Sequence, residues 1–165
     1  MNSAMAVLER VTAFRRGTWF RFAAFILLVP GIGLVIGVLN VPGRWYAGLN
    51  KPPFNPPDWV FAPVWTILFL MIAVAGFRTF ESKPRGAAMR LWWVQMALNF
   101  AWSPIFFSLH RIELAFVVIV ALSGAILAFV WVQSRSDRVS AALFIPYAAW
   151  VGFATLLNGA LFLLN

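Results

Sequence analysis

The 165-residue sequence has no cysteine, a single histidine and five acidic residues. Without thiols there is no disulfide, no thiolate metal site and no thiol nucleophile. His110 has no second histidine to share a metal with, and it falls in a tight turn where a surface role suffices. Glu113 and Asp58 stand alone, so no paired-carboxylate acid/base device is visible. No Gly-rich phosphate loop or nucleophile elbow occurs. The sequence therefore predicts no metal and no required cofactor.

Charge is scarce as well. Charged residues make up 11% of the chain and hydrophobic ones 62%, against about 25% and about 45–50% in a globular domain. A membrane-spanning helix needs about 20 mostly apolar residues. Runs of that order without Asp, Glu, Lys or Arg occur at 22–39, 60–77, 91–109, 114–134 and 139–164. The expectation is an all-α membrane protein, a five-transmembrane-helix bundle forming one domain over 1–165. Residues 1–18 form a polar leader and 40–58 a long connector rich in proline and aromatics. The remaining loops are too short for a soluble domain, so any site lies in the bundle or at its mouths. Ionisable groups at membrane depth usually mark ion and proton paths, and their absence argues against a proton-coupled pump or a charged filter.

The charges that exist flank the runs. Arg10, Arg15, Arg16, Arg21, Arg78, Lys83, Arg85, Arg90, Arg135 and Arg138 fall on one side, and Arg44, Lys51 and Arg111 on the other. Ten against three places the N-terminus in the cytoplasm and the C-terminus outside. The net charge of +8 is thus spent on orientation, and no folded basic face for nucleic acid is expected. The leader lacks a small-residue cleavage site, which argues for an uncleaved first span.

What the interior does contain is uncharged polarity among aromatics. Gln95, Asn99 and Ser103 recur every four residues and share one helix face, bordered by Trp92, Trp102 and Phe106. Leu143, Tyr147, Trp150, Ala154, Leu157 and Asn158 line a face of the fifth run. Such stripes serve either hydrogen bonding between helices or the walls of a ligand pocket. Trp19, Trp92, Trp93 and Trp131 fall near run ends, where indole favours the membrane interface. Trp65, Trp102 and Trp150 fall deeper, where a flat apolar ligand can stack on them. Gly33 and Gly37 form a small-xxx-small pair, read first as packing within the monomer and second as a dimer face. In the connector, Pro52, Pro53, Pro56 and Pro57 reduce the entropy lost on ordering and predict a preformed lid that holds Tyr46, Phe54 and Trp59.

Three motifs carry a resemblance. Trp45-Tyr46 through Lys51-Pro52, Asn55-Pro56-Pro57, Trp59-Val60-Phe61 and Trp65 form the first. Ala97-Leu98-Asn99-Phe100-Ala101-Trp102-Ser103-Pro104 is the second, and Ile145-Pro146-Tyr147-Ala148-Ala149-Trp150 with Ala154-Thr155-Leu156-Leu157-Asn158 the third. In this order and spacing they resemble the translocator protein family of tryptophan-rich sensory proteins and peripheral benzodiazepine receptors. The resemblance implies a five-helix bundle, often a homodimer, with a pocket near the first connector. It implies binding of porphyrins such as protoporphyrin IX, of sterols in some lineages and of isoquinoline and benzodiazepine-type compounds. The implied function is a membrane receptor or carrier tied to stress or tetrapyrrole regulation or transport. The alternative it carries is a light-dependent porphyrin-degrading enzyme, with Trp65 and Trp150 as the candidate catalytic residues. Carried over by motif, the ligand-binding residues are Tyr46, Phe54, Trp65, Asn99, Trp102, Ser103, Tyr147, Trp150, Ala154 and Leu157. Phe54 follows Pro53 where many relatives have a tryptophan-containing pair, and Ser103 replaces a larger amide or a threonine. Residues 163–165 lack the Tyr-then-Arg segment tied to sterol in animal members. A bacterial cell membrane is the expected home.

Overall fold

The computed structural model describes residues 2–165, with side chains described from Gly17 onward, so the leader side chains Arg10, Arg15 and Arg16 lie outside the described residues. Helix α1 spans Asn2–Leu39, α2 is a single turn at Arg44–Ala47, and α3 spans Phe61–Ser82 after a 3-10 turn at Asp58–Val60. Helix α4 spans Ala87–Ser103, α5 Ile112–Ser136 and α6 Arg138–Leu164. No strand occurs among the described residues.

Among the described residues, four segments are long and apolar enough to cross a membrane: Gly17–Leu39, Asp58–Ser82, Ile112–Ser136 and Arg138–Leu164. The sequence predicted five. The difference lies at 91–109, where α4 stops after 17 residues and a π-helical turn, Pro104–Ser108, continues from it. Pro104 has no backbone N–H to donate one turn back, so the ladder cannot run on unchanged. It slips by one residue, and Leu109 N–H reaches the Pro104 carbonyl at 2.9 Å, the i to i−5 spacing of a π turn.

Helix α5 packs between α4 and α6, while α3 packs against α1 and α6. The core joins Ile72 and Phe69 of α3, Met89 and Trp92 of α4, Ile126 and Phe129 of α5, and Phe144 and Tyr147 of α6. Burying one such side chain is worth about 1.5–3 kcal/mol in water, but between lipid-bathed helices close packing replaces that term. Two glycines provide it. A Cβ on Gly33 would lie 2.3 Å from a Phe69 ring carbon, and one on Gly76 would lie 2.5 Å from Trp92. Gly33 is therefore a packing site within the monomer, whereas a Cβ on Gly37 would meet nothing within 4 Å.

Trp92 departs from its expected place at the membrane interface. It is 1% exposed, because the slot left by Gly76 admits the ring and its Nε1–H donates to the Ile72 carbonyl at 3.0 Å. Trp19, Trp93 and Trp131 do lie on the surface, as do Leu27, Leu34, Val117, Leu127 and Leu156. Large apolar side chains on the outside and polar ones inside invert the soluble pattern and suit contact with lipid.

Ion pairs sit at the bundle ends. Arg21 of α1 pairs with Glu81 of α3, and Arg78 of α3 forks onto Asp137 at 2.9 and 3.0 Å. Asp137 also caps α6 by accepting from the Val139 and Ser140 amides. With Arg78 beside it, and Ser140 donating to it, the Asp137 carboxyl is held down at about 2.

Candidate functional site

The polar stripe of α4 meets the stripe of α6 at one tyrosine. Tyr147 donates its hydroxyl hydrogen to Gln95 Oε1 at 3.0 Å, and Asn99 Nδ2 donates to the Tyr147 oxygen at 2.8 Å. All three side chains are buried, and the four-residue spacing of Gln95 and Asn99 sets both amides against the same ring. Asn99 is thereby a helix–helix tie. Gln95 Nε2 retains no acceptor. Trp65 of α3 stands edge-on to Tyr147, with ring centres 6.2 Å apart, and lies against Phe69 at 5.2 Å.

Closer to the connector, the Trp102 ring stacks on Phe106 of the π turn at 5.2 Å. Its Nε1–H donates to Asn158 Oδ1 at 3.0 Å, and Asn158 Nδ2 donates to the Ile112 carbonyl at 3.2 Å. Three helical segments are thus joined through one indole and one amide. Ser103, half-buried, sits at the junction of α4 and the π turn. Leu157 belongs with Phe106, Ala115 and Leu161 to a small apolar cluster that Tyr46 completes.

The connector is folded onto this end. Gly43 and the one-turn α2 bring Tyr46 down to 6% exposure, edge-on to Phe106 and Phe107 at 6.1 and 5.4 Å. Its hydroxyl donates to Asn55 Oδ1 at 3.2 Å, and Lys51 Nζ lies 4.5 Å from its ring centre, a cation–π distance. Burial, and secondarily the Asp58 carboxylate, push the Tyr46 phenol above its ordinary value. Trp45 stacks on His110 at 4.2 Å, so His110 serves the connector, in a turn where it adopts φ 55. Asn40, at the end of α1, accepts from Ser108. Asn50 is bound to Asn165.

The remaining motif residues fall at the side of the bundle. Trp150 lies edge-on to Phe61 at 5.8 Å and tilted against Phe153 at 5.8 Å. Phe54, half exposed, touches the edge of Phe153 at 6.4 Å. Ala154 packs against the main core. Trp59 is 75% exposed and points away from the site. The motif residues therefore form three neighbouring groups: Trp65–Tyr147–Asn99 at depth, Tyr46–Trp102–Leu157 under the connector, and Phe54–Trp150 at the flank. Gln95, Asn158 and Phe106 complete these groups. Gln95 and Asn158 lie in the two polar stripes and Phe106 on the border of the first, and the π turn that carries Phe106 shifts residues 104–108 off the α-helical register.

Among the described residues no three His, Cys, Asp or Glu side chains gather as metal ligands. What the arrangement offers is aromatic faces, a few oriented N–H and O–H groups and a connector folded as an aromatic cap.

Residues 24–164 match the model of the TspO/MBR family. The chain is 35% identical over 140 residues to the tryptophan-rich sensory protein of Cereibacter sphaeroides, covering 85% of this chain and 88% of that one. It is 35% identical over 150 residues to the tryptophan-rich protein TspO of Archaeoglobus fulgidus, covering 88% and 97%. Its similarity to the translocator protein of Homo sapiens is 35% over 139 residues, covering 79% and 82%.

Proposed function

Because the chain belongs to the TspO/MBR family, we propose that it is an integral membrane receptor or carrier for porphyrins of the protoporphyrin IX type and similar flat apolar molecules. Its role is stress or tetrapyrrole regulation or transport. The observation that carries this reading is the aromatic cap. Tyr46, fixed by Asn55 and Lys51, is seated on Phe106 directly over the Trp102 and Leu157 end of the bundle. A planar ligand of this class offers large apolar faces to Trp65, Trp102 and Trp150 and leaves its polar edge for the N–H groups nearby.

The same reading makes α4 with its π turn the fifth crossing. Together they hold 22 residues, about 33 Å at about 1.5 Å per residue, enough for a hydrocarbon core of about 30 Å. The excess of arginine and lysine at the 83–90 and 135–138 end supports a cytoplasmic N-terminus in a bacterial cell membrane. The open face at Gly37 supports a homodimer.

The test is titration of the purified protein with protoporphyrin IX, followed by quenching of tryptophan emission. Saturable quenching is expected, with affinity falling at least fivefold in Trp65→Phe and Trp150→Phe. Parental binding by both variants would show that the assigned residues are wrong.

A further inference from the structure

The end of the bundle away from the connector carries positive charge that the chain does not balance. Among the described residues it holds two carboxylates, Glu81 and Asp137, and Arg21 and Arg78 take them both. Lys83, Arg85 and Arg90 are exposed, and among the described residues none of them has an acidic partner. Three cations within the eight residues 83–90 repel one another, yet the α3–α4 turn holds them together.

The backbone fixes that turn. Lys83 N–H donates to the Thr79 carbonyl at 2.9 Å and Gly86 N–H to the Lys83 carbonyl at 3.0 Å, and the ring of Pro84 between them locks its own φ. A Cβ at position 86 would lie 3.1 Å from Lys83 Cβ, so the base of the lysine side chain lies close against the glycine. Phe80, Lys83, Pro84, Arg85 and Gly86 line an open hollow of about 780 Å³. Phe80, half-buried against Phe25 at 5.9 Å between ring centres, gives the hollow an apolar side, and Lys83 and Arg85 give it a cationic one.

Its height in the bilayer selects the partner. Trp93 is 56% exposed, and Trp19 and Trp131 at the same end are exposed too; indoles so placed favour the membrane interface. Gly86 lies seven residues nearer the loop than Trp93, about 10 Å at about 1.5 Å per residue. The hollow therefore stands at the level of the lipid headgroups, a layer about 5–8 Å deep outside the hydrocarbon core. Arg90 is three positions before Trp93 and shares its face of α4, so a cation and a lipid-facing indole adjoin there. A free phosphate ion has no use for Phe80 or Trp93. A phosphodiester that carries acyl chains uses the cations and the apolar surfaces together.

We propose that the hollow at the α3–α4 turn is a binding site for an anionic glycerophospholipid, whose phosphodiester pairs with Lys83 and Arg85, with Arg90 beside them, and whose acyl chains descend past Trp93. A zwitterionic lipid brings its own ammonium group and competes poorly for these cations. The length of α3, 22 residues or about 33 Å, separates this site from the connector, so it is independent of the porphyrin reading.

The experiment uses the full chain in phosphatidylcholine nanodiscs with a rising fraction of phosphatidylglycerol, and native mass spectrometry counts the phosphatidylglycerol retained on each released protein. Saturable retention of phosphatidylglycerol in preference to phosphatidylcholine is expected. Lys83→Gln with Arg85→Gln should lower it at least fivefold, whereas Lys83→Arg with Arg85→Lys, which keeps the charge, should hold it near the parent. Arg135→Gln with Arg138→Gln removes the same charge from the neighbouring α5–α6 turn and should change retention less than twofold. Equal losses in the two glutamine pairs would show diffuse attraction to a basic rim and overturn the site, as would parental retention by the first pair or loss in the charge-keeping pair. Glycerol 1-phosphate at millimolar concentration should displace nothing; displacement would assign the hollow to a soluble phosphate and overturn the lipid. Failure of the porphyrin titration refutes the reading under the connector and leaves lipid retention at this end untouched.

Discussion

Asn50 and Asn165 hold each other by a reciprocal pair of hydrogen bonds. The Asn50 amide donates to Asn165 Oδ1 at 2.9 Å, and Asn165 Nδ2 donates back to the Asn50 carbonyl at 3.1 Å. This is the pairing of two strands reproduced by one side chain, and it ties the middle of the connector to the end of α6. Both residues are exposed, so water competes for every bond and the clasp contributes about 0.5–1.5 kcal/mol per bond at most.

A clasp that weak is suited to opening. Asn165→Ala should leave the bundle intact and raise hydrogen exchange of the 46–55 amides several-fold, since these report local opening. Porphyrin association and dissociation should both quicken, with little change in their ratio. Unchanged exchange over 46–55 would mean that the connector is held without the Asn165 side chain, by Tyr46, Lys51 and the Asn50 Nδ2 bond to the Leu164 carbonyl.

The two packing glycines and the open one make a matched comparison. Gly76→Ala drives a methyl against the Trp92 ring, with the built Cβ at 2.5 Å. Overpacking of this kind costs about 1–3 kcal/mol. Gly37→Ala meets nothing in the monomer and should be neutral or slightly stabilising, because alanine is the better helix former by about 1 kcal/mol. Thermal unfolding in detergent, compared with the parent, decides both. If Gly37→Ala instead weakens self-association in cross-linking while the melting point holds, Gly37 lies on the homodimer face.

Much of this architecture is legible in the sequence, for reasons that residues such as these make plain. Uncharged runs mark the spans because charge is costly in lipid, and the positions of α3, α5 and α6 follow from them within a few residues. Gln95 and Asn99 announce an interior face by their spacing alone. Trp92 was placed at the interface because it lies near a run end, but its burial depends on Gly76, sixteen positions earlier and on another helix. The π turn begins at a visible proline, yet whether Pro104 ends a helix or shifts its register depends on Leu109 and Arg111 finding carbonyls at Pro104 and Ile105. The choice between pocket wall and helix tie for Asn99 required knowing where Tyr147 lies. Phe54 and Trp59, neighbours in one motif, separate because the 3-10 turn at Asp58–Val60 turns Trp59 outward.

Tyr147 serves two amides at once, accepting from Asn99 and donating to Gln95. Tyr147→Phe removes both bonds and keeps the ring against Trp65. Measured bonds of this kind between membrane helices average about 0.6 kcal/mol, so a loss of about 1–2 kcal/mol in unfolding free energy is expected. Gln95→Leu in the Tyr147→Phe background should recover part of that loss, because it removes a buried amide left without a partner. An additive cost for the two changes, measured in a double-mutant cycle, would contradict the coupling.

The pH response of the bundle end follows from Asp137. Its carboxyl titrates at about 2 in the folded chain against an ordinary 3.8, held down first by the Arg78 fork and then by Ser140. A depressed folded value means that the unfolded chain binds the proton more readily, so the stabilisation is complete above about pH 4 and is lost as pH falls toward 2. Arg78 is 41% exposed and Asp137 17% exposed, so solvent screens the pair and its loss is a modest fraction of the total stability. Asp137→Asn keeps a cap for α6 but not the charge, and should flatten the stability profile between pH 4 and pH 2 while lowering its plateau. Adding 1 M salt should shrink the parent's acid slope and leave the variant's curve in place, since the Debye length falls to about 3 Å. A parent profile that is already flat from pH 5 to pH 2 would show that the fork does not hold α3 to the α5–α6 turn.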